Sequence, residues 1–134
     1  MKVDRFLISL PLLGLVAACM VSAMPGPAEG EKLFAANCTH CHDYRGQGAV
    51  LIGGKVAPDL RQITARNDGS FPRAQVLSRI DGYGHGSAGA DVMPEFGKLL
   101  QGDLVPVEVD GTMTPTPRPL AALLAYLESI QSDA

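Results

Sequence analysis

The sequence carries the run Cys38-Thr39-His40-Cys41-His42, in which two cysteines stand three residues apart and a histidine follows the second. If the run forms one turn of helix, both thiols lie on the same side, within reach of the two vinyl groups of a single porphyrin. Thioethers to those groups would hold the porphyrin covalently, and the imidazole of His42 would bind its iron as the proximal ligand. The spacing C-x-x-C-H is typical of c-type haem attachment, so it predicts a fold that wraps a haem.

Two other kinds of site use similar motifs. A thioredoxin-like thiol pair is expected where a strand leads into a helix of a βαβ unit, and no strand is predicted before Cys38. A zinc site needs ligands that can form a tetrahedron, whereas the cysteines and histidines of this run are too crowded, and no second pair follows at the usual spacing. A non-haem thiol oxidoreductase and a chance match are the alternatives that the motif leaves open.

The composition agrees with a globular domain that encloses a cofactor. The chain has 134 residues, enough for one domain, of which 46% are apolar and 19% charged. Aromatic residues make up only 5% and tryptophan is absent, so a porphyrin would fill core volume that large rings otherwise occupy. The net charge of -3 and the lack of a basic stripe argue against nucleic acid as a partner.

The N-terminal residues are predicted to direct export. A weakly positive start is followed by an apolar run and by small residues at 21–23, so residues 1–23 are predicted to be a signal peptide and 24–134 the domain. Alternatively, Val16-Ala17-Ala18-Cys19 resembles a lipobox, in which Cys19 becomes the lipidated first residue. An uncleaved anchor is a third possibility, since the apolar stretch 6–23 is at the lower limit for spanning a bilayer. All three predict a periplasmic domain, free or tethered to a membrane.

Three helices are predicted from the spacing of apolar residues. The first covers about 28–38 and places Gly30 and Phe34 on one face with a thiol of the motif. Because glycine lowers helix stability relative to alanine, Gly30 predicts that another helix crosses closely there. A middle helix is predicted over about 70–80, with Ser70 as its N-cap, and a last helix over about 118–131, with leucines along one side.

The segments between these helices are rich in glycine and proline. Residues 43–57 are predicted to be a loop, and residues 81–119 a long irregular segment. A loop of that length is expected in a compact domain where it has a ligand to pack on. Within it, Asp110-Gly111 predicts the turn of a small hairpin over Val107–Met113.

A haem iron needs a sixth ligand or a reason to lack one. Met93, in Val92-Met93-Pro94, is the first candidate, because an irregular segment can bring a thioether over the opposite haem face. Met113 is the alternative, and His85, in a glycine-rich loop, would instead give a bis-histidine haem. The candidates to pair with the haem carboxylates are Arg61, Arg66, Arg73, Arg79 and Tyr83.

Taken together, these features resemble a class I c-type cytochrome of the exported, single-haem kind. The resemblance covers Gly30 to about Ile130 and is carried by Cys38-x-x-Cys41-His42, Gly30-x-x-x-Phe34, Pro58-x-Leu60, Met93-Pro94 and Tyr126. It implies an all-α cytochrome c fold, with three to four short helices around one covalent haem and long Gly/Pro-rich loops. It also implies that Tyr126 packs against the Gly/Phe face and that the Pro58 carbonyl accepts a hydrogen bond from His42.

The function implied is transfer of single electrons, without catalysis, between redox partners such as a dehydrogenase, an oxidase or a reductase. A Met93 thioether would favour Fe(II), and so would an apolar wall around the haem. The side chains expected to form that wall are Leu33, Phe34, Leu60, Val76, Leu77, Ile80 and Phe96. The segment 97–116 looks like an insertion that could dock a partner. The alternative function is a haem enzyme or gas-binding sensor with a labile sixth ligand.

Overall fold

A computed structural model describes residues 23–83 and 93–132. These residues form four α-helices, α1 (Pro27–Asn37), α2 (Thr39–His42), α3 (Arg73–Asp81) and α4 (Arg118–Ser129), and two 3₁₀ helices, Leu60–Gln62 and Ala65–Asn67. They also form four strands, β1 (Ala49–Val50), β2 (Val56–Ala57), β3 (Leu104–Val109) and β4 (Thr112–Pro117). The predicted export segment up to residue 22, with Cys19, lies outside the described residues, and so does His85. No helix within the described ranges is long and apolar enough to cross a membrane.

The strands correct the prediction of an all-α fold. They pair as two antiparallel hairpins, β1 with β2 and β3 with β4. The predicted turn at Asp110-Gly111 is confirmed, and both residues have positive φ, 49° and 83°, as a type I′ turn requires. The second hairpin is longer than predicted because Val105 and Val107 alternate with exposed residues and are buried in the core.

The first and last helices cross where the sequence predicts it. A Cβ atom on Gly30 would lie 2.0 Å from the carbonyl oxygen of Ala122 and 2.6 Å from the Cβ of Tyr126, so only glycine fits between the two backbones. One turn further on, the rings of Phe34 and Tyr126 pack with their centroids 5.2 Å apart. A salt bridge of 2.8 Å between Arg118 and Glu29 joins the same two helices. The close crossing is therefore confirmed, and it frames the start of the haem motif.

Alanine at Gly30 should destabilise the haem-loaded protein by about 2 kcal/mol, since overpacking outweighs the gain in helix propensity. Urea unfolding followed by circular dichroism would measure the change in the free energy of unfolding. Gly26→Ala is the matched control, because no described atom lies within 4 Å of a Cβ placed there. Equal stability of the two variants would contradict the tight crossing.

The third helix lies against α4 and carries the buried residues Val76 and Ile80. It begins at Arg73, later than predicted: Pro72 is the N-cap residue, its carbonyl accepts the first helical hydrogen bond from Val76, and Ser70 makes no cap. Arg73 joins three elements, since its guanidinium contacts Glu108 of β3 at 3.1 Å and Glu128 of α4 at 2.9 Å. Arg73 therefore ties the start of α3 to β3 and to the last turn of α4.

Candidate haem-binding site

The haem motif forms a single helical turn that continues from α1. The N–H groups of Cys41 and His42 both donate to the carbonyl of Cys38, at 3.1 and 2.9 Å, and Cys38 itself donates to Phe34 at 2.8 Å. Both thiols are free and half-buried, whereas His40 is exposed. The two cysteines therefore lie within one helical turn, directly before the buried His42.

The His42 ring is buried, with 7% of its surface exposed, and it is oriented by a backbone carbonyl. Its Nδ1 lies 3.3 Å from the oxygen of Pro58, as the resemblance implies. Because a carbonyl only accepts, Nδ1 carries the proton in this hydrogen bond, and Nε2 keeps its lone pair for a metal. Burial lowers the pKa of His42 and the bond to Pro58 opposes that shift, so the neutral, metal-binding form is favoured.

The environment of Cys38 argues against thiol redox chemistry. Burial, with a smaller effect of the neighbouring Cys41, raises the pKa of the Cys38 thiol from 9.0 to about 11. Thiol oxidoreductases need the opposite, a lowered pKa that yields a thiolate near neutral pH. The zinc alternative gains no support either, because no three His, Cys, Asp or Glu side chains within 23–83 and 93–132 are arranged to hold a metal ion.

Two adjoining cavities lie beside the motif, of about 490 and 380 Å³, within the usual range for ligand pockets. Six residues line both of them: Cys38, His42, Pro58, Leu60, Arg79 and Met93. The remaining walls are mainly apolar, formed by Phe34, Ile63, Val76, Ile80, Leu123 and Leu127 in the larger cavity and by Leu51, Ala57 and Phe96 in the smaller. A large, flat, apolar group attached at the motif fits this combined space.

Most of the predicted haem wall lines this space, with two exceptions. Leu33 and Leu77 pack against the core instead and line neither cavity. Sequence reasoning missed Leu123 and Leu127, which belong to the leucine stripe of α4; that stripe is wide enough to face both α1 and the cavity. It also missed Leu51, which lies next to the two-residue strand β1, too short to show any alternation.

The larger cavity also has a polar part of its lining, formed by Arg66, Asn67, Gln75, Ser78, Arg79 and Tyr83. A haem attached at its vinyl groups carries its two carboxylates on the opposite edge, and such groups need partners of this kind. Of the four candidate arginines, Arg61 and Arg73 line neither cavity. Of the four candidate arginines, Arg66 and Arg79 thus border the described cavities.

The two candidate methionines are placed very differently. Met93 is half-buried and lines both cavities together with His42. Met113 lies on β4 with 59% of its surface exposed, and it lines neither cavity. The described residues thus bring one thioether, that of Met93, to the space that His42 faces.

Comparisons with known proteins agree with a haem-binding site at this motif. The family model for cytochrome c matches residues 27–131. Cytochrome c subunits of the cytochrome bc1 complex from Mycobacterium bovis, Mycobacterium tuberculosis and Mycobacterium leprae are each 52% identical over 31 residues, which is 23% of this chain and 11% of each relative. The match thus spans about a tenth of the length of these relatives. No solved structure matches the chain.

Proposed function

Because the chain belongs to the cytochrome c family, with haem c bound covalently at Cys38 and Cys41, we propose that it carries single electrons through an iron ligated by His42 and Met93. The observation that carries the proposal is that these two side chains line the same space beside the attachment cysteines. When bound, the haem supplies an iron that alternates between Fe(III) and Fe(II).

The protein's own contribution is to orient the ligands and to lower the polarity around them. Pro58 fixes the His42 ring, and Phe34 and Leu123, each nearly inaccessible to solvent, form part of the cavity wall. A thioether ligand and an apolar wall both favour the less charged Fe(II) state, so the proposed site has a higher reduction potential than a bis-histidine site. A closed sixth position also leaves no place for a substrate, which suits a carrier better than an enzyme.

The proposed partners are other redox proteins. The relatives are named as subunits of a cytochrome bc1 complex, which supports exchange of electrons with a redox complex. Dehydrogenases, oxidases and reductases are the classes of partner that a single-electron carrier of this kind serves. We place the domain in the periplasm, either free after cleavage near Ala23 or tethered through a lipid on Cys19 or an uncleaved N-terminal segment.

An optical redox titration of the exported protein tests this function. We expect one reversible one-electron transition, and no prompt reaction of the reduced protein with carbon monoxide, because Met93 closes the sixth position. Immediate carbon monoxide binding without denaturant would instead support the alternative, a haem enzyme or gas-binding sensor with a labile sixth ligand.

A further inference from the structure

The segment that follows Met93 is attached to the end of α3. The N–H of Phe96 donates to the carbonyl of Ile80 at 2.9 Å, and the N–H of Gly97 donates to the carbonyl of Asp81 at 3.1 Å. These two bonds join residues that lie 16 apart in the chain. They fix the position of the backbone shortly after the candidate ligand.

Residues 81–82 and 95–97 lie so close together that a side chain on either of two glycines, Gly82 or Gly97, would collide with the opposite segment. A Cβ on Gly97 would lie 2.1 Å from a carboxylate oxygen of Asp81 and 2.7 Å from the Asp81 carbonyl oxygen, and the second of these atoms cannot move aside. A Cβ on Gly82 would lie 2.3 Å from the Cγ of Glu95, and Gly82 has a φ of +89°. Segment 95–97 therefore lies directly against residues 81–82 at the end of α3.

A buried anchor secures the far side of the same segment. The N–H groups of Leu99 and Leu100 both donate to the carbonyl of Phe96 at 2.9 Å, so the chain turns directly after the attachment. Leu100 is buried in the core, and Phe96 itself lines the smaller cavity. Displacement of Gly97 would consequently move both a cavity wall and the backbone that leads to Met93.

We propose that Gly82 and Gly97 are positioning residues that hold the Met93 sulfur at the haem iron, by allowing segment 95–97 to seat against the end of α3. This inference rests on the proposed ligation by Met93. Neither glycine touches the iron; each acts through the path of the chain. A bond to a thioether is weak enough to be lost when its backbone support shifts by about 1 Å, a displacement that is known to matter at functional sites.

Alanine at each glycine tests the proposal in the haem-loaded protein. Gly97→Ala and Gly82→Ala should each lose the weak long-wavelength charge-transfer band of thioether-bound Fe(III) and bind carbon monoxide at once when reduced. Covalent haem content and far-ultraviolet circular dichroism should stay as in the wild type. The band and the carbon monoxide reaction report on the sixth ligand, which a purely structural role would leave unchanged.

Two other glycines provide matched controls. Gly26→Ala controls for Gly97→Ala, since neither position has a positive φ and a Cβ at 26 meets no described atom within 4 Å. Gly69→Ala controls for Gly82→Ala, since Gly69 also has a positive φ, +80°, whereas a Cβ placed there meets no described atom within 4 Å. Both control variants should keep the band. Adding Glu95→Gly to Gly82→Ala removes the side chain that the new Cβ would strike, and it should restore the band.

The outcomes separate this inference from the proposed function. A wild-type protein that lacks the band would overturn both the ligation and the positioning role. A wild-type protein with the band, whose Gly97→Ala and Gly82→Ala variants keep it, would overturn the positioning role alone. If Gly97→Ala fails to fold, the Gly82→Ala variant and its Glu95→Gly combination decide, and failure of that combination to recover the band counts against the proposal.

Discussion

Serine at both Cys38 and Cys41 should abolish covalent haem attachment. The exported double variant should have the mass of the polypeptide alone, whereas the wild type should be heavier by one haem. The physical reason is that a hydroxyl does not form the thioether that a thiol forms with a vinyl group, so His42 and Met93 would hold the porphyrin by coordination alone. Intact-mass measurement and a haem stain on a denaturing gel would check the result.

Serine variants of single cysteines, including Cys19, extend this test. Either serine variant alone should keep one thioether and stay covalently loaded in part. Cys19→Ser should leave the haem mass unchanged and should remove a lipid mass if the lipobox is used, so the same measurement reports the processing of the N-terminus. Covalent haem in the double variant would contradict attachment at these thiols, and a wild-type mass equal to that of the apo chain would support a thiol oxidoreductase.

Features set by neighbours in the chain could be predicted from the sequence. The spacing from Gly30 to Phe34 to Cys38 follows the helical period, so it predicts α1, and the glycine predicts a close crossing by another helix. The resemblance, not the spacing, implied that Tyr126 of α4 packs there, as the structure has it. Asp110-Gly111 predicted a hairpin turn because those residues tolerate the positive φ that the turn needs. In each case the local backbone geometry needs particular residue types at a fixed spacing, and that pattern can be recognised in the sequence.

Features set by distant contacts could not be predicted in this way. Arg73 was one of four equivalent arginines in the sequence, and only the fold brings it to Glu128, 55 residues away, and so removes it as a partner for haem carboxylates. The attachment of Gly97 to Asp81 likewise depends on how the chain returns to α3. The strands β1 and β2 have two residues each, too few for alternation to appear. The predicted cytochrome c fold is confirmed, and only its description as all-α leaves out these strands and the hairpin of β3 and β4.

Alanine at Met93 should convert the closed haem site into an open one. We expect the long-wavelength charge-transfer band to vanish, the reduced protein to bind carbon monoxide promptly, and the reduction potential to fall by on the order of 0.2 V, within the roughly 0.8 V that axial ligands span. The fall follows because a thioether favours Fe(II), and water or a nitrogen ligand in its place favours Fe(III). Optical spectra and a redox titration of the haem-loaded variant measure all three effects.

Met113→Ala is the matched control, since it removes the same thioether from an exposed position on β4 that lines neither cavity. That variant should keep the band and the potential of the wild type. Loss of the band in Met113→Ala, with its retention in Met93→Ala, would reverse the assignment of the ligand. A wild-type spectrum without the band, together with a low potential that His85→Ala raises, would instead indicate bis-histidine ligation and would remove the reason for expecting a high-potential electron carrier.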